Sequence, residues 1–283
     1  MASTKRQRKK ENQAARRAAL EAARRRQRRK RQLLNLGGLL FGVVLLALIL
    51  VMVAGRGNDD GSASPDTTPP VTLASVPPVP EGRKIKGETP CPKAEGEERA
   101  SSFEKPPPLC IDPAKTYRAV FTTSAGVIKA DLDTKRTPLT ANNFVVLARY
   151  GYYDGSSFAR TDPSIAIVQG GAPTTQSISD PGPGYNIKDE GGPFTYAEGD
   201  LVMARSEGPD SGGAQFFFSA GPETSSLDAQ GTYVTFGKAA EGLDVLKKVL
   251  TTHVDCPEPA DSACLGGAPQ PPVEVETVTI EQT

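Results

Sequence analysis

The chain has 283 residues, 37% hydrophobic and 23% charged, with 33 Lys or Arg against 33 Asp or Glu, four cysteines, one histidine and no tryptophan. With no C-x-x-C pair, a lone His253 and no G-x-S-x-G elbow, this composition argues against a metal site, against any cofactor, and against a serine hydrolase. The neutral total hides an uneven distribution: residues 1–32 hold 14 basic residues against Glu11 and Glu21, and the remainder is acidic by 31 to 19.

Residues 1–32 contain good helix formers, as in Ala14-Ala15-Arg16-Arg17, but no apolar stripe, so they read as a solvated or lipid-facing basic tail. Residues 33–54 then run for 22 positions without a charge, rich in Leu and Val. At the helical rise they span roughly 33 Å, enough to cross a hydrocarbon core of about 30 Å. A cleaved signal peptide is the rival reading, against which stand the long basic region and the absence of a small-x-small site in Met52-Val53-Ala54-Gly55. Basic residues before the span and Asp59 and Asp60 after it place residues 1–32 in the cytoplasm and everything beyond the span outside the cell membrane. The basic charge is explained by topology and attraction to anionic lipid, and no nucleic-acid partner is expected, because aromatic residues are not interleaved with it.

Residues 55–110, above all Arg56 to about Pro90, are rich in Pro, Gly and Ser, including Val76-Pro77-Pro78-Val79-Pro80, and read as an extended extracytoplasmic linker. All four cysteines, Cys91, Cys110, Cys256 and Cys264, follow the span. Outside the cytoplasm an even count reads as two disulfides, with Cys91–Cys110 and Cys256–Cys264 the simplest of three connectivities and reduced, buried thiols the alternative.

Residues 111–283 have the composition of a folded domain of roughly 170 residues. Alternation over Tyr117–Thr123 and Gly126–Leu132 around Ser124-Ala125-Gly126 predicts a β-hairpin. A helix follows, with Thr137 as N-cap, Pro138 at its first position, a buried face of Phe144, Val145, Leu147 and Ala148, and Gly151 as its stop. Short strands are expected around Phe158, Ile165–Gln169, Leu201–Ala204, Gln215–Ser219 and Tyr233–Phe236, then a helix at Leu243–Leu250 and a final strand at Val273–Ile280. Many short strands with two helices suggest a closed barrel capped at its ends.

Two stretches 45 residues apart stand out: Ser157-Phe158-Ala159-Arg160 running to Gln169-Gly170-Gly171, and Met203-Ala204-Arg205 running to Gln215-Phe216-Phe217. They offer no nucleophile and no group titrating near neutral pH, so they suit a reaction that breaks no covalent bond. Together with Asn142-Asn143-Phe144, Tyr152-Tyr153-Asp154-Gly155, Gly182 to Tyr185 and Phe236-Gly237-Lys238, they resemble the cyclophilins in order and over nearly the whole domain, about Tyr117 to Glu281. The resemblance, to a bacterial membrane-anchored form, implies a mainly β fold: an eight-stranded antiparallel barrel closed by two helices, preceded here by a single transmembrane helix.

The resemblance also implies the site. Arg160 matches the family's catalytic arginine and Gln169 the glutamine that orients it. Ile167, Phe217 and Leu227 match the proline pocket and Ala166 its floor; Gln215 lies beside it, Ala204 and the backbone of Arg205 match the strand that pairs with bound peptide, and Tyr233 falls where the family has His or Tyr. Three positions depart from the pattern: Ala159 replaces the usual histidine, Ala166 an aromatic, and Ser226 stands where some members carry tryptophan. The segment Thr161–Ala166 also differs in length from the commonest form. The expected function is peptidyl-prolyl cis-trans isomerisation on proline-containing polypeptides, without a cofactor, assisting the folding of exported proteins; a catalytically weak peptide-binding or chaperone module is the alternative.

Overall fold

The computed structural model describes residues 76–206, 208–256 and 265–282. The basic tail 1–32, the expected membrane span 33–54 and residues 55–75 of the linker lie outside the described residues, as does Cys264 and with it the Cys256–Cys264 pairing. Among the described residues no helix is long and apolar enough to cross a membrane.

The second half of the expected linker is folded. Strands β1 (Arg83–Ile85) and β2 (Ala100–Phe103) form a parallel pair. Ile85, Ala100 and Phe103 are buried in the core, and Phe103 meets the Tyr150 ring edge-on at 5.4 Å. The Cys91–Cys110 disulfide staples this segment, with Cα atoms 5.3 Å apart. Asn142 on the first helix accepts the Cys110 and Ile111 N–H groups through Oδ1 at 2.6 and 3.1 Å. The proline content that suggested an extended spacer here accompanies a few well-placed apolar anchors.

The hairpin of β3 (Tyr117–Thr123) and β4 (Gly126–Leu132) falls on the predicted residues. Helix α1 (Pro138–Arg149) also begins and ends where expected, but its cap is different. Thr137 makes no side-chain cap bond; instead Glu190, fifty residues away, accepts the Thr140 N–H at 2.6 Å and its hydroxyl at 2.9 Å. A carboxylate among the free N–H groups of a helix start satisfies donors and meets the positive end of the helix dipole. Then come β5 (Ser156–Ser157), β6 (Arg160–Asp162), β7 (Ile167–Gly170), β8 (Asp200–Arg205), β9 (Gly212–Ser219), a 3-10 turn at Pro222–Leu227, β10 (Thr235–Glu241), α2 (Leu243–Thr251), β11 (His253–Asp255), β12 (Gly267–Pro269) and β13 (Glu274–Gln282).

Apart from β1 and β2, the strands form one curled antiparallel sheet, a half-barrel, in the order β11-β12-β6-β7-β9-β8-β10-β4-β3-β13-β5. The hydrogen-bonded order has eleven members, and two of them, β5 and β6, belong to a single stretch of chain. Residues 156–157 pair with β13, Phe158 N–H still reaches Val273 O at 3.0 Å, and by Arg160 the same stretch has changed partner to β7. One continuous stretch thus splits into two strands at opposite parts of the order, and the hairpin β11–β12 extends the sheet beyond β6.

The concave face of the sheet is filled with rings. Phe121, Phe144, Tyr153, Phe216, Phe218 and Phe236 are fully buried, Phe144 stacks on Tyr153 at 5.0 Å, and Phe121 meets Phe218 edge-on at 5.2 Å. Such pairs contribute about 0.5–1.5 kcal/mol each beyond their buried area. With the interior packed, a substrate as large as a peptide has to bind on the outer face.

Candidate active site

Strand β9 shows how the outer site is made. Side chains alternate along a strand, so in Gln215-Phe216-Phe217-Phe218 the second and fourth enter the core while Gln215 and Phe217 turn outward. Across the sheet Phe217 is the register partner of Gln169, and Gln169 of Arg160. Three adjacent strands thereby place a phenyl ring, an amide and a guanidinium in one row. The row lies in a groove of about 340 Å³.

Arg160 is gripped at each nitrogen. Nη1 donates to Gln169 Oε1 at 3.2 Å, Nη2 to Asp162 Oδ2 at 2.7 Å, and Nε to the Leu265 carbonyl at 3.0 Å. The side chain is only 14% exposed. Of five N–H donors on the planar fork, three are committed and two remain for a ligand. Gln169 in turn donates through Nε2 to Gln215 Oε1 at 3.0 Å, and Gln215 Nε2 donates to Ile178 O at 3.2 Å. Burial acts to raise the Asp162 pKa, but the Ser164 hydroxyl at 2.6 Å, the Arg160 guanidinium and the Ser164 N–H together outweigh it and hold the carboxyl below its ordinary value. Asp162 therefore stays charged at neutral pH and keeps its hold on Arg160.

The other side of the groove is apolar. Ile165, Ile167, Phe217, Leu227 and Tyr233 line it, with Phe217 and Tyr233 edge to face at 6.0 Å. Tyr233 is fixed by its neighbours: its N–H donates to the Tyr196 hydroxyl at 2.8 Å, and Arg205 lies over its ring at 4.9 Å. Arg205 is itself held by Asp189 at 2.8 Å and the Thr232 hydroxyl at 2.7 Å. Along the groove, the β8–β9 ladder slips register between Met203 and Arg205, and the β8–β10 ladder reaches no further than Val202. Ala204 and Arg205 extend past it as groove-lining backbone suited to pairing with an extended peptide. Gly171 (φ +85°) is required beside Gln169, since a Cβ there would come within 2.9 Å of the Gln215 Cα.

Nine of the expected site residues, Arg160, Ile167, Gln169, Ala204, Arg205, Gln215, Phe217, Leu227 and Tyr233, line this one groove. Ala166 does not. It sits at φ +48°, 1% exposed, with its carbonyl accepting the Ala220 N–H at 2.7 Å and the Thr224 hydroxyl at 3.3 Å. Its neighbour Ile165 lines the groove instead. Sequence reasoning missed Asp162, although a carboxylate two residues from Arg160 on one strand lies on the same face. It also missed Leu265, which is 105 residues from Arg160 and carries no local signal.

Residues 118–279 match the family model for Cyclophilin type peptidyl-prolyl cis-trans isomerase/CLD. The chain is 39% identical over 124 residues to peptidyl-prolyl cis-trans isomerase B of Bacillus subtilis, covering 43% of this chain and 82% of that one. It is also 39% identical over 140 residues to a peptidyl-prolyl cis-trans isomerase of Helicobacter pylori, covering 48% of this chain and 82% of the relative. A crystal structure of a Cryptosporidium parvum cyclophilin type peptidyl-prolyl cis-trans isomerase, in the presence of the dipeptide Ala-Pro, superposes with a TM-score of 0.46 at 27% identity, covering 58% of this chain and 98% of that one. The chain belongs to the cyclophilin-type peptidyl-prolyl cis-trans isomerases. Its activity is accordingly rotation about the peptide bond preceding proline, a step with a barrier of about 18–20 kcal/mol and an uncatalysed time of roughly 10–100 s.

Proposed function

We propose that this isomerase is a bacterial membrane-anchored form, held by residues 33–54 with its domain outside the cytoplasm, and that it accelerates the folding of exported proteins. The uncharged 22-residue stretch and the basic residues before it support the anchor and its orientation. The Cys91–Cys110 disulfide supports an oxidising compartment.

Within the groove, the proline ring enters the apolar side between Ile165, Ile167, Phe217, Leu227 and Tyr233, and the peptide runs along Ala204 and Arg205. The two uncommitted N–H groups of Arg160 face the prolyl bond. Amide resonance is lost in the rotational transition state, and the nitrogen becomes pyramidal and carries its lone pair. A fixed cation that donates to this nitrogen or to the adjacent carbonyl favours the twisted form over the planar one, which is the differential binding catalysis requires. Gln169 orients the guanidinium, and Asp162 keeps it from reorganising. The observation that carries this reading is the three-point grip on Arg160 beside an apolar pocket. A protease-coupled isomerisation assay on the full chain in detergent micelles tests it: turnover of Xaa-Pro peptides is expected, and peptide binding without turnover would mark a binding module instead.

A further inference from the structure

The wall of the groove beside Arg160 comes from a part of the chain whose backbone, but not its side chains, enters the reading above. Hairpin β11–β12 is joined in register from His253↔Pro269 to Asp255↔Gly267, and Gly267 pairs onward with Thr161 of β6, next to Arg160. The sole histidine locks the same junction: His253 Nδ1 lies 2.9 Å from the Thr161 hydroxyl and Nε2 lies 3.0 Å from Asp255. The contact is too close for any side chain at position 267, where a Cβ would overlap the Val254 carbonyl and the His253 ring. Two residues before Gly267 the Leu265 carbonyl takes the Arg160 Nε–H and the Gly267 N–H. The Leu265 backbone is therefore fixed, and its side chain, 54% exposed, stands at the groove rim. Four large apolar side chains are exposed among the described residues, Leu109, Val127, Leu139 and Leu265, and of these Leu265 alone lines the groove.

We infer that Leu265 is a specificity-determining residue: it forms an apolar subsite for the substrate side chain that flanks the proline on the Arg160 side. This rests on the isomerase reading of the groove. A proline seated against Phe217 and Leu227 and a prolyl bond over Arg160 leave the next residue of the peptide above Leu265. A half-exposed leucine on a rigid support gains by covering an apolar side chain and gains nothing from glycine or a carboxylate.

The test uses the full chain in detergent micelles and two peptide series, Xaa-Pro-Gly and Gly-Pro-Xaa, with Xaa as Gly, Asp, Leu or Phe. In one series the wild type is expected to favour Leu and Phe over Gly by roughly five- to tenfold in kcat/KM, the scale of a part-exposed apolar contact. In that series Leu265→Ser brings the ratio towards one, Leu265→Met retains it, and the other series keeps its wild-type ratios. Wild-type ratios near one in both series would overturn the inference. So would Leu265→Ser lowering every peptide equally, which would make Leu265 a mere support of Arg160. A wild type that turns over no peptide would sink the isomerase reading separately, and the same ratios read as Kd values would then still decide the role of Leu265.

Discussion

Arg160 and Gln169 face one another across the β6–β7 ladder, guanidinium Nη1 to amide Oε1 at 3.2 Å. The amide has one possible orientation, because its Nε2 must donate to Gln215 Oε1. A chain of two glutamines anchored at Ile178 O thus sets where the cation points. Each link is an ordinary hydrogen bond, but Gln169 is buried between half-buried partners, and leaving a buried polar group unsatisfied costs about 1–3 kcal/mol.

Gln169→Ala is therefore expected to lower kcat/KM about tenfold or more, through kcat rather than KM, because it frees Arg160 to reorganise without touching the proline pocket. Steady-state kinetics on one Xaa-Pro peptide, split into the two constants, is the check; a change confined to KM would assign Gln169 to binding alone.

The lowered pKa of Asp162 has a sign that can be followed. A carboxyl depressed in the folded protein contributes its full stability above the unfolded value near 3.9, and loses that contribution as pH falls through the lower folded value. Wild-type kcat/KM should hold from neutrality to about pH 4 and fall only below it. Asp162→Asn should be slower by several-fold at neutral pH and lose that acid limb. A pH–rate profile of the two proteins tests this, and identical profiles would remove Asp162 from the grip on Arg160.

Ala166 carries the opposite consequence from the one its alignment position suggests. A phenylalanine there would have to adopt φ +48° in a buried turn against Gly221, whose ideal Cβ already lies 3.1 Å from the Ala166 Cβ. Ala166→Phe should destabilise the domain by about 2–4 kcal/mol and give no gain in turnover. Ile165→Ala, which trims the groove itself, should raise KM several-fold and change the melting temperature far less. Thermal melts and kinetics of the pair distinguish the two positions.

The Cys91–Cys110 bridge closes a loop with a sequence separation of 19. On the chain-entropy scale that contributes about 3 kcal/mol, so replacing both cysteines by serine should lower the melting temperature by roughly 6–12 °C. The groove lies elsewhere, so kcat/KM at 25 °C should stay within about twofold. A melting curve unchanged by the substitutions would show that β1 and β2 hold without the staple.

What the sequence made legible follows from physical range. Alternation and helix periodicity are local, so the β3–β4 hairpin, α1 and α2 fell within a residue or two of the predicted bounds. The Gln215–Phe217 and Arg160–Gln169 stretches were legible because outward residues on a strand recur with period two. The β1–β2 pair was not, because Ile85 and Phe103 are isolated apolar residues among prolines and acquire meaning only against Tyr150 and the core. The hairpin β11–β12 was also hidden: its strands have three residues each, and its place beside Arg160 is set by the Gly267–Thr161 pairing. That Ile165 and not Ala166 lines the groove was hidden for a similar reason, since the positive φ of Ala166 in its turn cannot be read from residue type.

The most direct measurement is the isomerisation rate of Arg160→Ala in the full chain, alongside its melting curve. Removing the cation proposed to face the prolyl bond should cost about a hundredfold or more in kcat/KM, the scale of a lost transition-state donor, while the melting temperature stays within a few degrees of wild type. Equal turnover by the folded variant and the wild type would contradict the assignment of catalysis to Arg160.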